Sequence, residues 1–275
     1  MKYNKIIILL VLSTILSLSV ACMNSGIKIG VTTGTTYEEE AKKYKKVSEV
    51  KTYKDDNLTL KELSNGRLDG IITDKLVGLN GIKKGKYDDL KLAGDLIYVE
   101  TIAVAIHKEN DSLRQAINKA LEELISSGEY EKISEKYFDK NILDGVDYVK
   151  TYKNEEEPKD DSLKKVKEKG EISFAMSGGY PPFNYYEGEE LTGFDVEVGK
   201  AIAELIGVKY KAVTTDWSGI LTGLKANRYD GIFGSMAITE ERKKEVDFTN
   251  PYYFSGAQLI VPKDSDIESV EDLKE

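Results

Sequence analysis

One segment of this chain occurs twice in similar form, and the repetition constrains the fold more than any other feature. Residues 60–72 align without a gap on residues 221–233, sharing Leu, Leu, Arg, Asp, Gly and Ile at corresponding positions. Both copies are typical of a helix end, an Asn/Gly turn and an Asp-Gly pair that begins a buried strand. Such a corner can arise twice by chance, but a single register of shared residues favours a duplicated topology. The chain is therefore predicted to form two lobes of similar architecture.

Two blocks of the chain, 27–138 and 172–275, alternate short apolar segments with amphipathic ones. Strands are predicted at 27–31, 102–106 and 259–261, among others. This alternation is typical of an α/β fold with open, mostly parallel sheets. Between the blocks, the range 139–170 is rich in Lys, Glu and Asp, which predicts a polar linker.

The N-terminus indicates export. Two early lysines precede an apolar run at 6–20, and Cys22 follows as the only cysteine of the chain. We predict that 1–21 is a signal peptide and that Cys22 is lipidated. Ser19 stands where a lipoprotein signal usually has Leu, so secretion with a free cysteine remains an alternative. An uncleaved anchor is the other, although the run is shorter than the roughly 20 residues that span a bilayer.

The composition excludes several functional classes. The net charge is −9, and basic residues are interspersed with acidic ones, so no nucleic-acid partner is expected. One histidine and one cysteine offer no metal-ligand spacing, and no nucleophile–base set is visible. We predict no catalytic residue, metal or cofactor, and a protein that is not an enzyme.

Candidate binding residues follow the predicted strands. The loop at 32–36 (TTGTT) leads into a helix, where it suits either an anion or ordinary N-capping. Asp74 follows a buried strand, where open α/β sheets have ligand crevices, and a carboxylate there can pair with an ammonium. Arg242 offers a planar fork for a carboxylate, unless it is an ordinary surface residue. Tyr180 and Trp217 either cover the core or form flat walls for a ligand.

Taken together, these segments resemble the solute-binding proteins of polar amino-acid ABC importers, the bacterial extracellular solute-binding protein family 3. The resemblance covers nearly the whole chain after the signal, and its strength lies in the combination of modest motifs. In the second block the motifs are GYPPFN at 179–184, LTGFDVE at 191–197, DWSGI at 216–220, YDG at 229–231, SMAITEER at 235–242 and VDFTNPY at 246–252. In the first block they are GVTTGTT at 30–36, NGRLD at 65–69, Asp74 and GEYEKISEKYF at 128–138.

The resemblance implies a two-lobed periplasmic-binding-protein-like (type II) fold. It implies an extracytoplasmic protein, lipid-anchored to the cell membrane or periplasmic, that captures a free amino acid. That protein would act as a monomer and deliver its ligand to an ABC transporter permease. Two alternatives stay open: a ligand-sensing ectodomain protein and a cyclohexadienyl-dehydratase-like enzyme on the same scaffold.

The resemblance also implies roles for individual residues. Arg242 would hold the α-carboxylate of the ligand and Asp74 the α-ammonium. Ala237 occupies a position where the family often has a hydroxyl, so one polar contact is absent or comes from the backbone. The remaining implied contacts are Thr35, Thr36 and the backbone near Ser235 beside the carboxylate, Tyr180 and Trp217 as walls for the side chain, and Ser177 and Thr32 for side-chain selection.

The order of these segments is reversed relative to the usual family order. The C-terminal stretch at 267–274 resembles the one that normally runs directly into 27–31. The chain thus resembles a circular permutant, and a fragment of a tandem protein is the competing explanation. Lobe 2 is predicted at 26–106, led by 263–275, and lobe 1 at 107–262 with the linker inside it.

Overall fold

The computed structural model describes residues 26–84, 86–144 and 156–274. The predicted signal peptide, Cys22 and the middle of the predicted linker lie outside these ranges. Within them, no helix combines the length and the apolar character needed to cross a membrane.

The first block alternates strands and helices as predicted. Three of its helices begin at a side-chain cap: Thr35 accepts the Glu38 N–H, Asp55 accepts the Leu58 N–H and Asp74 accepts the Leu76 N–H. The elements in chain order are β1 (Ile27–Thr32), α1 (Thr36–Ala41), β2 (Val47–Tyr53), α2 (Asp56–Ser64), β3 (Gly70–Asp74), α3 (Lys75–Lys83), β4 (Leu90–Ile106), α4 (Asp111–Ser126) and α5 (Glu129–Phe138).

The second block repeats the pattern and adds a small three-stranded sheet, β6–β7–β8. Its elements are α6 (Ser162–Lys169), β5 (Glu171–Met176), β6 (Gly179–Tyr180), β7 (Asn184–Glu187), β8 (Glu190–Thr192), α7 (Phe194–Ile206), β9 (Lys209–Thr214), a 3-10 turn (Trp217–Gly219), α8 (Ile220–Lys225), β10 (Gly231–Ala237), α9 (Glu240–Glu245), β11 (Asp247–Pro262) and a second 3-10 turn (Val270–Leu273).

A single eight-stranded sheet runs through the molecule in the order β2-β1-β3-β11-β4-β10-β5-β9. Its two ends are parallel, and the pairs that involve β11 and β4 are antiparallel. We call the end with β1–β3 and α1–α3 the β1 lobe. The end with β5, β9, β10 and α7–α9 is the β5 lobe. The prediction of a two-lobed α/β fold is confirmed, but the sheets expected for the two lobes are joined into one.

The joint between the lobes consists of two long strands. The strands predicted at 102–106 and 259–261 are parts of β4 and β11, which have 17 and 16 residues. Their antiparallel ladder is interrupted by register shifts between Phe248 and Tyr253 and again between Ala257 and Leu259. The pattern of apolar residues predicts only short pieces of these strands, because polar or acidic residues inside each strand interrupt its apolar run.

The prediction of a linker over 139–170 is wrong for its last part, since 162–169 form helix α6. The Asp160 carboxylate accepts the backbone N–H groups of Ser112 at 2.7 Å and Ser162 at 2.9 Å, which joins the starts of α4 and α6. Val166 is 4% exposed and belongs to the main core cluster. One buried aliphatic side chain in a charged helix is enough to dock it, yet too little to change the average composition.

The last described residues pack beside the first strand. The Lys46 N–H donates to the Leu273 carbonyl at 3.1 Å. Leu273 is fully buried in a hydrophobic cluster that also contacts Ile27 and Val47. The second 3-10 turn thus belongs to the β1 lobe, although it follows β11 in the chain.

Candidate ligand-binding site

A cavity lies between the two lobes, and the space between its lining atoms, including the part open to solvent, is about 440 Å³. Both lobes and strand β4 contribute to it. Its lining residues are Thr32, Thr35, Thr36, Tyr37, Asp55, Asp56, Glu100, Ser177, Tyr180, Trp217, Gly234, Ser235, Ala237 and Arg242.

Nine of the ten predicted ligand-contacting residues are brought together around this cavity, and Asp74 is not among them. They come from loops far apart in the chain that meet at the ends of β1, β5 and β10. The nine are Thr32, Thr35, Thr36, Ser177, Tyr180, Trp217, Ser235, Ala237 and Arg242.

Arg242 is the basic residue of the cavity lining. Its backbone N–H donates to Thr239, the N-cap of α9, at 3.1 Å. Nη1 donates to the Ala237 carbonyl at 2.8 Å, and the guanidinium carbon lies 5.9 Å from the centre of the Trp217 ring. Burial lowers the pKa of Arg242, and the nearby Glu100 opposes that shift. A guanidinium has five N–H donors, so one fixed by Ala237 leaves others for a ligand.

The threonine loop is arranged by hydrogen bonds within itself. The Thr35 hydroxyl donates to the Thr32 carbonyl at 2.7 Å and accepts from the Glu38 N–H at 3.4 Å. The Gly34 N–H donates to the Glu38 carboxylate at 2.8 Å. Thr35 therefore is the N-cap of α1, and the loop presents Thr32 and Thr36 toward the cavity from fixed positions.

The cavity lining includes three carboxylates that were not predicted from the sequence, those of Glu100, Asp55 and Asp56. Glu100 is 6% exposed and accepts the Thr36 hydroxyl at 2.5 Å and the Tyr37 hydroxyl at 2.9 Å. Burial raises the pKa of Glu100. An acid inside the apolar strand at 97–106 is the one signal in the sequence that marks it.

The other two carboxylates begin helix α2. Asp56 is 3% exposed, and its two oxygens accept the hydroxyls of Thr32, at 2.8 Å, and Thr73. Burial raises the pKa of Asp56 to about 6, against the effect of those two hydroxyls. Asp55 caps the helix by accepting the Leu58 N–H at 3.0 Å. In the sequence, both acids are indistinguishable from ordinary N-terminal helix residues.

Asp74 lies behind the cavity wall and is fully buried. Oδ1 caps α3 by accepting the Leu76 N–H at 2.6 Å, while Oδ2 has no hydrogen-bond partner among the described residues. Burial raises the pKa of Asp74 to about 7, an effect that Ser255 opposes and Glu100 reinforces. The predicted ammonium ligand is thus a buried carboxylate with one unpaired oxygen.

The backbone at Ser235 has a left-handed conformation, with φ 61°, which is uncommon for a residue with a side chain. A buried carboxylate holds it there, since Asp195 accepts the Ser235 hydroxyl at 2.9 Å. The same carboxylate accepts Asn184 Nδ2 and the Tyr252 hydroxyl, both at 2.8 Å. Such a conformation persists where its surroundings fix it, often at functional sites. No local pattern in the sequence indicates this network.

The lobes meet in close contact around the cavity. A Cβ atom added to Gly179 in the β5 lobe would lie 2.7 Å from Asp55 Cβ in the β1 lobe. Lys54 and Asp216 form an exposed ion pair at 3.4 Å across the same cleft. The structure is therefore a closed form, in which the two walls enclose the cavity.

A two-lobed α/β protein with a polar cavity between its lobes is the class that this fold and site define. The chain belongs to the bacterial extracellular solute-binding proteins, family 3, whose sequence model matches residues 19–140 and 172–272. Within the described ranges, no group of His, Cys, Asp or Glu side chains is arranged to hold a metal ion.

Individual relatives match part of the chain. The L-cystine-binding protein TcyJ of Escherichia coli K12 is 40% identical over 116 residues, which are 41% of this chain and 43% of the relative. The arginine-binding extracellular protein ArtP of Bacillus subtilis is 39% identical over 106 residues, 38% of this chain and 42% of the relative. Each alignment thus spans less than half of the relative. The arginine-bound Phe57Trp mutant of domain 1 from TmArgBP has 34% identity over 38% of this chain and 88% of its own, with a TM-score of 0.33.

Proposed function

We propose that this protein binds a free amino acid between its lobes and delivers it to the permease of an ABC importer. The observation that carries the proposal is the pairing of one guanidinium with buried carboxylates around the cavity between the lobes. A zwitterion needs both kinds of group within a few ångströms. The family and the amino-acid-binding relatives support the same conclusion.

In this proposal the α-carboxylate of the ligand binds Arg242. The guanidinium is already oriented by the Ala237 carbonyl, so little rotamer freedom is lost on binding. Thr36 and the backbone around Ser235 lie beside it in the cavity lining. The Ala237 carbonyl orients this guanidinium, and the hydroxyl donor that the family often has at that position is absent here. Tyr180 and Trp217 form the walls for the ligand side chain, with Ser177 and Thr32 at its side.

Two carboxylates compete for the α-ammonium, and their hydrogen bonds separate them. Glu100 already faces the guanidinium of Arg242 and accepts two hydroxyls, whereas Oδ2 of the buried Asp74 accepts no hydrogen bond among the described residues. A buried acceptor without a partner costs free energy that a charged donor recovers. We therefore assign the ammonium to Asp74, reached through a rearrangement of the cavity wall beside Tyr37 and Tyr180.

The proposal includes a location outside the cytoplasm, with the protein held at the membrane by a lipid on Cys22. It describes a binding protein and not an enzyme, acting as a monomer. Mass spectrometry of the intact exported protein tests the anchor, since diacylation adds a large defined mass to the new N-terminal cysteine. A mature protein with a free thiol would contradict the lipid anchor and leave the binding role standing.

Calorimetry of the purified chain against the twenty amino acids tests the binding role. We expect at least one to bind with a dissociation constant in the micromolar range or below, about −8 kcal/mol. Binding of none of them would contradict the proposal. Turnover of prephenate-type acids would favour the dehydratase alternative instead.

We further propose that the chain is a circular permutant that closes on itself. The contact of Leu273 with the first strand supports this, because it brings residues 274 and 26 to the same lobe. Permutations are tolerated where the break in the chain falls in an exposed loop. Light scattering tests it: a monomer that binds one ligand is expected. A dimer that binds two ligands by exchanging lobes would support the tandem-fragment explanation.

A further inference from the structure

The described lining of the cavity has more negative than positive charges, and an amino acid with no net charge would leave that excess unbalanced. Three carboxylates line it, from Asp55, Asp56 and Glu100, against the one guanidinium of Arg242 among the described lining residues. A fourth, Asp74, lies directly behind with an unpaired oxygen. This inference rests on the function proposed above, in which Arg242 binds the α-carboxylate of the ligand and Asp74 binds its α-ammonium. Glu100 keeps its interaction with Arg242, and Asp55 and Asp56 then face no cation among the described lining residues.

We propose that the ligand is a cationic amino acid, whose side-chain guanidinium or ammonium binds against Asp55 and Asp56. Both acids start helix α2 in the β1 lobe and face the β5 lobe across the cavity. The contact of Asp55 with Gly179 brings that wall within van der Waals reach of the opposite lobe. A ligand side chain extending from Arg242 toward this wall therefore ends between the two lobes.

The hydrogen bonds of Asp56 fit an ionised carboxylate. Both partners are hydroxyl groups, from Thr32 and Thr73, and neither brings a charge. A buried carboxylate that lacks a counter-ion is strongly disfavoured unless a cation arrives or a proton binds. A ligand with a second positive charge supplies the counter-ion at the moment of closure.

The other walls of the cavity also suit a cation. Tyr37, Tyr180 and Trp217 line it, and aromatic faces attract guanidinium and ammonium groups. Arg242 already lies near the Trp217 ring at 5.9 Å, so that ring accepts a guanidinium in this geometry. A neutral polar side chain gains nothing from these faces beyond contact area.

The test compares L-arginine with L-citrulline, which have nearly the same shape and differ in the charge of the side chain. Calorimetry at pH 8 is expected to show arginine binding about 100-fold more tightly than citrulline. Equal or tighter binding of citrulline or glutamine would overturn the inference while leaving amino-acid binding intact. Failure of every amino acid to bind would instead contradict the proposed function itself.

A variant assigns the effect to the acidic wall. Asp56→Asn keeps the acceptor for a threonine hydroxyl and removes the charge, so the arginine-to-citrulline ratio is expected to fall at least about tenfold. Citrulline affinity serves as the internal check that the variant is folded. Asp264→Asn, on an exposed turn, is the matched control and should leave the ratio unchanged. If the single variants Asp56→Asn and Asp55→Asn both keep the wild-type arginine-to-citrulline ratio, the assignment is refuted.

Discussion

The guanidinium of Arg242 in the β5 lobe reaches the Gly34 carbonyl of the β1 lobe, with 3.5 Å between Nη2 and the oxygen. Gly34 belongs to the threonine loop that starts α1, so the proposed anchor of the ligand also contacts the opposite lobe. In the proposed function, the Arg242 side chain therefore takes part both in ligand binding and in holding the two lobes together. A ligand carboxylate placed between Arg242 and this loop stabilises the closed form over any open one.

Replacing Arg242 tests that shared role. Arg242→Ala is expected to weaken amino-acid binding about 100-fold to 1,000-fold, since a charge-assisted pair and a closing contact are both lost. Arg242→Lys keeps the charge but not the fork, and should lose about tenfold. Calorimetry measures both, with the exposed Arg228→Ala as the control. Tight binding by Arg242→Ala would remove the carboxylate assignment.

Gly179→Ala tests the close approach of the lobes. The added methyl would lie 2.7 Å from Asp55 Cβ, a distance that real side chains do not tolerate. We expect ligand affinity to fall about tenfold or more, and the radius of gyration with saturating ligand to stay larger than in the wild type. Gly219→Ala is the control because nothing lies within 4 Å of its added Cβ. Normal closure of Gly179→Ala, seen by small-angle scattering, would argue against this contact.

The raised pKa of Asp74, about 7, predicts a pH dependence of binding. Below pH 7 the unliganded carboxyl is protonated, and it must release that proton to pair with the ligand ammonium. Affinity is therefore expected to fall as the pH drops from 8 to 5, approaching about tenfold per pH unit if one proton is linked. Titrations at pH 6 in buffers of different ionisation enthalpy count the protons released.

Asp74→Asn separates this effect from other titrations. The variant is expected to bind more weakly at pH 8 and to lose most of the pH dependence, leaving the smaller part due to Asp56. Proton release that is the same in wild type and Asp74→Asn would assign the ammonium elsewhere, with Glu100 the next candidate.

The stability of the unliganded protein is expected to rise as the pH falls from 8 to 5. Burial raises the pKa of Asp195 to about 7, above the value of about 4 in an unfolded chain. Between these values the folded state binds more protons than the unfolded state, so the free energy of unfolding decreases with increasing pH. Asp56 and Asp74 act in the same direction. Thermal denaturation across this range checks the sign.

The amide of Asp195→Asn cannot ionise, so the variant should show a smaller increase in the free energy of unfolding between pH 8 and pH 5. It also removes an acceptor from Ser235, Asn184 or Tyr252, so a loss of about 2 kcal/mol is expected at pH 5, where wild-type Asp195 is protonated. A melting temperature that is constant from pH 8 to pH 5 in the wild type would contradict a buried, titrating Asp195.

The sequence was sufficient for features that depend on local order. The TTGTT loop, the corner repeated at 60–72 and 221–233, and Arg242 just inside a helix all follow from short motifs, and the family match confirms the class of protein. Strand ends bring such loops to one edge of a sheet without further information. That rule accounts for the threonine loop, Tyr180 and Trp217, whereas Ser177 and Ala237 were predicted through the family resemblance.

The missed residues depend on distances that no local pattern encodes. Glu100 and Asp56 became part of the cavity because β4 passes beneath it and α2 starts at its rim. Asp74 was expected in the cavity because its strand ends there, yet its carboxylate turns to cap α3. A helix start and a ligand ammonium make the same demand on a carboxylate, and the sequence does not distinguish them.

The register shifts in β11 determine the mechanics of the joint between the lobes. Strands β11 and β4 pair without interruption from Tyr253 to Ala257. A regularly paired ladder resists bending, so we expect this stretch to be stiffer than the register shifts on either side of it. Any rotation of one lobe relative to the other is therefore expected to concentrate at the register shifts on either side of this stretch, between Phe248 and Tyr253 and between Ala257 and Leu259. Substitutions at these shifts, none of which lies among the described lining residues, are consequently expected to change the rates of ligand capture and release while the walls of the cavity stay the same.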